Sequence, residues 1–167
     1  QVQDDGFCAI PLLDDRIESI LEKLERLRND DLSHSQWALG IITGNNAKVL
    51  KDRLRQGLEP IFTGKDISKY GLKKASRYIK YNRADFQQCA KDEYYRAKEK
   101  LVYKFVSSKL CFTYDDKQRL FLNSANILIP EVDGMSIKTV LAFLNSALFN
   151  FLYAKRFNDI KILKGNH

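Results

Sequence analysis

One stretch near the C-terminal end constrains the fold more than any other part of the chain. Its apolar residues recur every three or four positions, at Ile137, Val140, Leu141, Leu144, Ala147, Leu148, Phe151 and Leu152. This spacing places them on one face of an α-helix, and Ser136 in front of them is a typical N-cap residue. The sequence therefore predicts a hydrophobic helix of roughly four turns as the main core element. Asn145 and Ser146 are expected to face solvent or another helix.

The other apolar runs are short and are separated by polar turns, which is typical of β-strands. We predict strands at residues 37–42, 48–50, 58–62, 76–81, 101–106, 110–114, 120–122, 125–129 and 157–163. Tight turns are expected at 43–46 and 107–109, and Asp66 is expected to cap a one-turn helix over 67–70. A mixed helical stretch is expected over 85–100. The predicted fold class is α+β, with a mixed, largely antiparallel sheet of short strands packed on the long C-terminal helix.

The first 36 residues differ from the rest in pattern and charge. A predicted amphipathic helix, capped by Asp14 or Asp15, carries one apolar face made of Ile17, Ile20, Leu21, Leu24 and Leu27. The net charge is −5 over residues 1–36 and +7 over the whole chain, which leaves +12 on residues 37–167. We therefore divide the chain into an N-terminal run with a spacer helix, 1–36, and a basic domain, 37–167.

A positive charge of this size favours a polyanionic partner, most often nucleic acid. Lys and Arg bind phosphates, whereas side chains with bidentate or planar groups read bases. The candidate DNA-binding residues on predicted loops and strand edges are Asn45, Asn46, Lys48, Lys65, Lys69, Tyr70, Arg77, Lys80, Arg83, Lys104 and Lys109. Lys117, Tyr78, Tyr81 and Tyr114 are interleaved with them. For each of these residues taken singly, a solvated surface, a structural turn or core packing is an open alternative.

Other chemistries have less support from the residues. Gly64-Lys65 is not a P-loop, since that motif needs Gly at position 59 and Ser or Thr at position 66. The two histidines and three cysteines lack metal-ligand spacing, and the cysteines indicate free thiols in a reducing cytoplasm. No apolar run reaches the roughly 20 residues of a membrane span. We expect a cytoplasmic protein with no membrane partner, no metal and no catalytic residues.

Two alternatives remain open at this point. Glu131 with Asp159 and Lys161 has the composition of a magnesium-dependent nuclease site. A protein-interaction module whose positive charge serves an acidic partner would also account for the charge.

Six segments, taken in order, resemble the TaqI-like C-terminal specificity domain. They are GIITGNN (40–46), PIFTGKDISKY (60–70), YIKY (78–81), LVYKF (101–105), LNSANILIP (122–130) and LAFLNSALFNFLY (141–153). This family is the target-recognition region of adenine-specific DNA methyltransferases and of fused restriction-methylation enzymes. A specificity subunit of a multisubunit restriction system, which shares this recognition logic, is an open alternative. The chain differs from the family at 46–49, where Asn-Ala-Lys-Val stands in place of the frequent Asn-x-x-Phe.

The resemblance implies an α+β domain that grips duplex DNA opposite a catalytic domain and selects the target sequence. Methyl transfer, S-adenosylmethionine binding and any DNA cleavage would belong to a methyltransferase region of the same bacterial parent chain. The helix in 1–36 would be the spacer that leads to that region. Because the sequence starts without methionine, we expect it to be a piece of a longer protein.

Overall fold

The computed structural model describes residues 15–27 and 30–156. The chain divides into two compact units, Gln1–Asp30 and Asp31–His167. In the first unit, helix α1 spans Asp15–Glu25, so the predicted amphipathic helix is confirmed. Its 11 residues make about three turns and not four. The boundary at residue 36 stays a prediction.

The second unit combines short strands with two C-terminal helices. In chain order its elements are β1 (Gln36–Ala38), α2 (Asn46–Val49), β2 (Glu59–Phe62), β3 (Ile67–Ser68), β4 (Gly71–Leu72), β5 (Arg77–Ile79), α3 (Asp92–Tyr95), β6 (Lys100–Lys104), β7 (Phe112–Asp115), β8 (Leu120–Phe121), β9 (Ala125–Ile129), α4 (Ile137–Asn145) and α5 (Ala147–Arg156). Short 3₁₀ helices at Gly64–Asp66 and Arg83–Asp85 separate some of them.

The strands pair in a mixed, mainly antiparallel arrangement. A four-stranded sheet has the order β1-β9-β6-β7, a three-stranded sheet has the order β5-β2-β8, and β3 pairs with β4. All of these pairs are antiparallel except β2 with β8. The predicted α+β class is confirmed.

The central strands β6 and β9 are buried on both faces because the four-stranded sheet lies between two layers. Leu101 and Leu128, which are register partners, pack with Val140, Leu141 and Leu144 of α4. On the opposite face Ile127 packs with residues of the three-stranded sheet, including Ile61, Ile79 and Leu120. Alternate residues of one strand therefore serve two different cores.

The C-terminal helix differs from the prediction because it is broken. Helices α4 and α5 meet at Ser146 with a bend of 57°. The Ser146 backbone is extended (φ −64°, ψ 161°), and its hydroxyl accepts a hydrogen bond from Phe149 N at 3.2 Å. Ser146 thus acts as the N-cap of a new helix, a role its side chain suits better than a mid-helix position.

Asn145, the last residue of α4, is buried and bonds a strand, whereas the sequence predicted that it would face solvent or another helix. Only 4% of Asn145 is exposed. Its amide nitrogen donates to Phe112 O at 2.9 Å, and its amide oxygen accepts from Phe112 N at 3.0 Å. The side chain therefore bonds the start of β7 as a neighbouring strand would.

Local side-chain hydrogen bonds overturn two other predictions. The run at 48–50 is not a returning strand, because Asn45 accepts Lys48 N at 3.1 Å and caps α2. The run at 67–70 is not a helix. Asp66 instead accepts the Thr63 N–H and hydroxyl, both at 2.7 Å, and closes the 3₁₀ turn before β3.

The remaining predictions divide as follows. The β6–β7 hairpin and strands β2, β5, β8 and β9 are confirmed within a residue or two at each end. In place of the helical stretch expected over 85–100, the structure has the single helical turn α3 between the end of a 3₁₀ helix at Asp85 and the start of β6 at Lys100, with irregular chain around it. Trp37 was expected on a buried strand, but 47% of it is exposed, and its ring packs edge-on against Tyr103. The strand expected at 157–163 lies outside the described residues.

The turn between β8 and β9 joins the two sheets. A Cβ atom on Gly40 would overlap the carbonyl oxygens of Leu122 and Ala125, and one on Gly64 would overlap the carbonyl oxygen of Ser124. Both sites therefore need glycine for close approach of two backbones. We call residues 122–126 the junction turn.

Lys100 of β6 and Asp115 of β7 are register partners, and their side chains form a buried ion pair at 3.0 Å. Arg119 also binds Asp115, at 2.7 Å, and Lys100 donates to Tyr95 O at 2.6 Å. Burial lowers the pKa of Lys100 below its ordinary value. Burial alone would raise the pKa of Asp115, but the charge and hydrogen bond of Lys100, together with Arg119, hold it below its ordinary value.

We expect Gly64→Ala to lower the free energy of unfolding by about 1–3 kcal/mol, because the new methyl group meets backbone that cannot move aside. Gly71→Ala is the matched control, since its Cβ meets mainly the Ser68 hydroxyl, which can rotate. Urea unfolding measures both. Equal losses in the two variants would contradict the close approach at Gly64.

We expect Asp115→Asn to lower stability at pH 7 by about 3–5 kcal/mol, because the Lys100 charge stays buried without its partner. Asp115 has a depressed pKa, so its contribution is complete above its unfolded pKa of about 4 and is lost as the pH falls through the folded value. The difference between wild type and Asp115→Asn should therefore shrink in unfolding curves recorded below about pH 4. A constant difference down to pH 2 would contradict this assignment.

Candidate nucleic-acid interface

A groove beside the junction turn collects two of the predicted DNA-binding residues. It has a volume of about 440 Å³ and is lined by Gly64, Lys65, Lys104, Phe105, Val106, Asn123 and Ser124. Lys65 comes from the 3₁₀ turn that follows β2, and Lys104 ends β6. We call this the basic groove.

Ser124 holds both walls of the basic groove. Its hydroxyl accepts a hydrogen bond from Gly64 N at 2.9 Å, and its carbonyl accepts one from Phe105 N at 3.1 Å. The first bond fixes the turn that carries Lys65, and the second fixes the chain just after Lys104. The two lysines are therefore positioned by backbone contacts and not by their own side chains.

The groove combines free positive charge with exposed apolar surface. Within residues 15–27 and 30–156, the ammonium groups of Lys65 and Lys104 form no ion pair or hydrogen bond. Phe105 is 60% exposed and Val106 is 69% exposed. Asn123 and Ser124, which are also exposed, add polar groups to the lining. A ligand here would meet cations, hydrogen-bonding groups and an apolar surface together.

Three other predicted residues lie next to the β6–β7 hairpin but not in the groove. Lys69 donates from Nζ to the carbonyl of Asn145 at 2.6 Å, at the C-terminus of α4. Tyr70 is exposed, has a positive φ of 62°, and donates its N–H to Phe112 O at 3.1 Å. Lys109 is exposed in the hairpin loop. Lys69 is thus engaged in holding the fold, whereas Tyr70 and Lys109 reach solvent.

A second set of predicted residues lies on and after β5. Arg77 forms an ion pair with Asp52, and Lys80 is exposed. Arg83 forms an ion pair with Asp92 and donates to Ala90 O at 2.8 Å. These two arginines carry intramolecular partners.

Tyr81 belongs to the same cluster. Its hydroxyl donates to Asp92 at 2.8 Å, and the Arg96 guanidinium lies 4.9 Å from its ring centre. Burial, and then the hydrogen bond and charge of Asp92, raise the pKa of Tyr81 to about 12. The Tyr81 ring is therefore packed within the protein.

The third set, Asn45, Asn46 and Lys48, builds the turn before β2. Asn45 caps α2, and the amide oxygen of Asn46 accepts from the Thr43 hydroxyl at 2.6 Å. Lys48 is exposed. Both asparagines thus have structural hydrogen bonds, which is the alternative that the sequence left open for them.

Sequence reasoning missed the apolar part of the groove. Residues 105 and 106 were included in a strand, but β6 ends at Lys104 and leaves them in an exposed loop. It also missed the exposed loop that carries Arg53, Leu54 and Arg55. A signal was present in both cases, namely large apolar residues next to basic ones in a segment that lacks a regular β or α period.

The residues that the structure describes hold neither a metal-binding cluster nor a single helix that could cross a membrane. Among them, no group of three or more His, Cys, Asp and Glu side chains is placed to hold a metal ion. No single helix there is both long and apolar enough to cross a membrane, although the bent pair α4 and α5 reaches those limits together. Cys89 and Cys111 are free thiols. Asp159 and Lys161 of the alternative nuclease site lie outside the described residues.

Comparison with known protein families gives a match to the TaqI-like C-terminal specificity domain over residues 59–164. The matched region contains every residue that lines the basic groove and most strands of both larger sheets. Comparison with curated proteins finds no match.

We expect Lys69→Met to lower the free energy of unfolding by about 1 kcal/mol, since it removes a charged hydrogen bond from the C-terminus of α4. Lys65→Met should change stability by less than about 0.5 kcal/mol, because the Lys65 ammonium has no partner in the part of the chain that the structure describes. Urea unfolding of both variants tests the contrast. Equal stabilities would show that Lys69 is as free as Lys65.

Proposed function

The chain belongs to the family of TaqI-like C-terminal specificity domains, and we propose that it recognises the target of a restriction-modification methyltransferase by binding duplex DNA. A specificity domain is non-catalytic. The observation that carries the proposal is the basic groove inside the matched region, in which the ammonium groups of Lys65 and Lys104 have no partner among residues 15–27 and 30–156.

Charge supports a nucleic-acid partner. Residues 37–167 carry a net charge of +12, and cations that neutralise phosphates release condensed counterions from DNA. Phosphate contacts fix position and register, while base contacts give specificity. We assign the first role to Lys65 and Lys104, and Asn123, which lines the groove, supplies an amide suited to the second.

The finer parts of the proposal concern the parent protein. The partner of this domain would be an adenine-specific methyltransferase domain of the same chain, which binds S-adenosylmethionine and transfers its methyl group. The parent would be a bacterial, cytoplasmic enzyme of a type II system, with or without a fused endonuclease. This chain would supply the sequence selection and none of the chemistry.

The other predicted residues have different places in this proposal. Tyr70, Lys80 and Lys109 are exposed and available to DNA. Arg77 and Arg83 would have to exchange their carboxylate partners for phosphates. Lys48, with Asn45 and Asn46, lies before the matched region and contributes charge at its edge.

We expect Lys65→Gln and Lys104→Gln each to weaken binding of a mixed-sequence duplex. Loss of one phosphate contact lowers the slope of log affinity against log salt by about 0.9, which is roughly an eightfold loss at 0.1 M salt. Fluorescence anisotropy titrations at several salt concentrations measure both quantities.

Lys98→Gln is the matched control. Lys98 is also an exposed lysine, but it precedes β6, whereas Lys104 ends that strand. Lys98→Gln should leave the affinity and the salt slope closer to the wild-type values than Lys65→Gln and Lys104→Gln do. If all three variants behave alike, the basic groove is not the DNA-binding surface.

A further inference from the structure

The basic groove carries an exposed apolar pair that phosphate binding does not explain. Phe105 and Val106 are adjacent, more than half exposed and follow directly on Lys104. Two bulky apolar side chains side by side in a solvent-facing loop leave surface in water that burial would stabilise. Their position therefore indicates a partner with an apolar surface.

The surrounding charge selects the kind of partner. Lys104 precedes the pair, Lys65 lines the same groove, and Lys109 lies further along the loop. Lysine is depleted at the cores of protein–protein interfaces, so these cations favour a polyanion over a protein surface. In duplex DNA the apolar surfaces near the phosphates are the deoxyribose carbons, the thymine methyl groups and, where a base step opens, the faces of the bases.

Two backbone hydrogen bonds hold the chain at Phe105. The Phe105 N–H is bonded to the carbonyl of Ser124, and Lys104 N donates to Cys111 O at 3.3 Å across the hairpin. The Phe105 side chain therefore extends from a fixed backbone position at the end of β6. Such preorganisation lowers the conformational cost of binding.

From this geometry we propose that Phe105, supported by Val106, inserts as a wedge between neighbouring base pairs of duplex DNA while Lys65 and Lys104 hold the flanking phosphates. Apolar side chains used in this way unstack a base step and kink the duplex. This inference rests on the proposed function, because it requires that the domain bind DNA at the basic groove.

Plasmid unwinding tests the wedge without knowledge of the target sequence. Wild-type chain is bound to closed circular plasmid, which is relaxed with a topoisomerase and then freed of protein. Insertion between base pairs should leave the plasmid with fewer helical links than the protein-free control. Phe105→Ala should abolish this change, and Phe105→Trp, which keeps a flat ring, should retain it.

Affinity for a mixed-sequence duplex provides the second readout. Phe105→Ala should weaken binding roughly 5- to 150-fold, the range found when an aromatic that stacks on a base is removed. Its salt slope should equal that of wild type, because the side chain is uncharged, whereas the slope of Lys65→Gln should fall. Urea unfolding checks that the exposed position tolerates alanine.

Leu54→Ala is the matched control for an exposed apolar residue between basic neighbours. Leu54 is 62% exposed and lies between Arg53 and Arg55, but it does not line the groove. The Leu54→Ala variant should lower the linking number of the plasmid as much as wild type does. Binding of wild type without any change in linking number would overturn the wedge alone, as would equal unwinding by Phe105→Ala. Failure of wild type to bind duplex at all would overturn the proposed function as well.

Discussion

The close approach of two glycines to the junction turn is the constraint on which the rest of this domain depends. Gly40 and Gly64 each bring a backbone against residues 122–126 at a distance that excludes any side chain. The approach is secured by hydrogen bonds of Ile41 N to Phe121 O at 2.7 Å and of Leu122 N to Phe62 O at 2.8 Å. The junction turn thereby joins two sheets whose strands are too short to be stable separately.

Elements with a regular spacing of apolar residues are predicted correctly from the sequence. The predictions are wrong where a polar side chain forms a hydrogen bond with the backbone of its own segment. The β6–β7 hairpin and the α1 helix follow from apolar spacing alone. The segments around Asn45 and Asp66 also have apolar runs, but there a short polar side chain caps a turn and decides the conformation. The same mechanism operates at Ser146, where a hydroxyl starts a new helix although the apolar spacing continues through the break.

The candidate site was predictable in its charge and not in its geometry. Lys65 and Lys104 were recognised as basic residues on loops or edges, yet they are far apart in sequence and meet only because Ser124 bonds both segments. Arg83 and Lys69 are also basic residues on predicted loops or edges. In the structure, however, Arg83 is bonded to Asp92, and Lys69 is bonded to the carbonyl of Asn145. Long-range partners of this kind leave no local pattern in the chain.

Because Ser124 fixes the ends of the groove, the loop after Lys104 can vary in sequence without changing the buried cores. The Ser124 hydroxyl and carbonyl fix the two ends of the groove from the junction turn, and the loop after Lys104 extends from that anchor into solvent. Substitutions at 105–109 can therefore change the surface offered to a ligand while the buried cores stay as they are. In evolutionary terms, such a scaffold can change the surface that it offers to a ligand without first losing its fold.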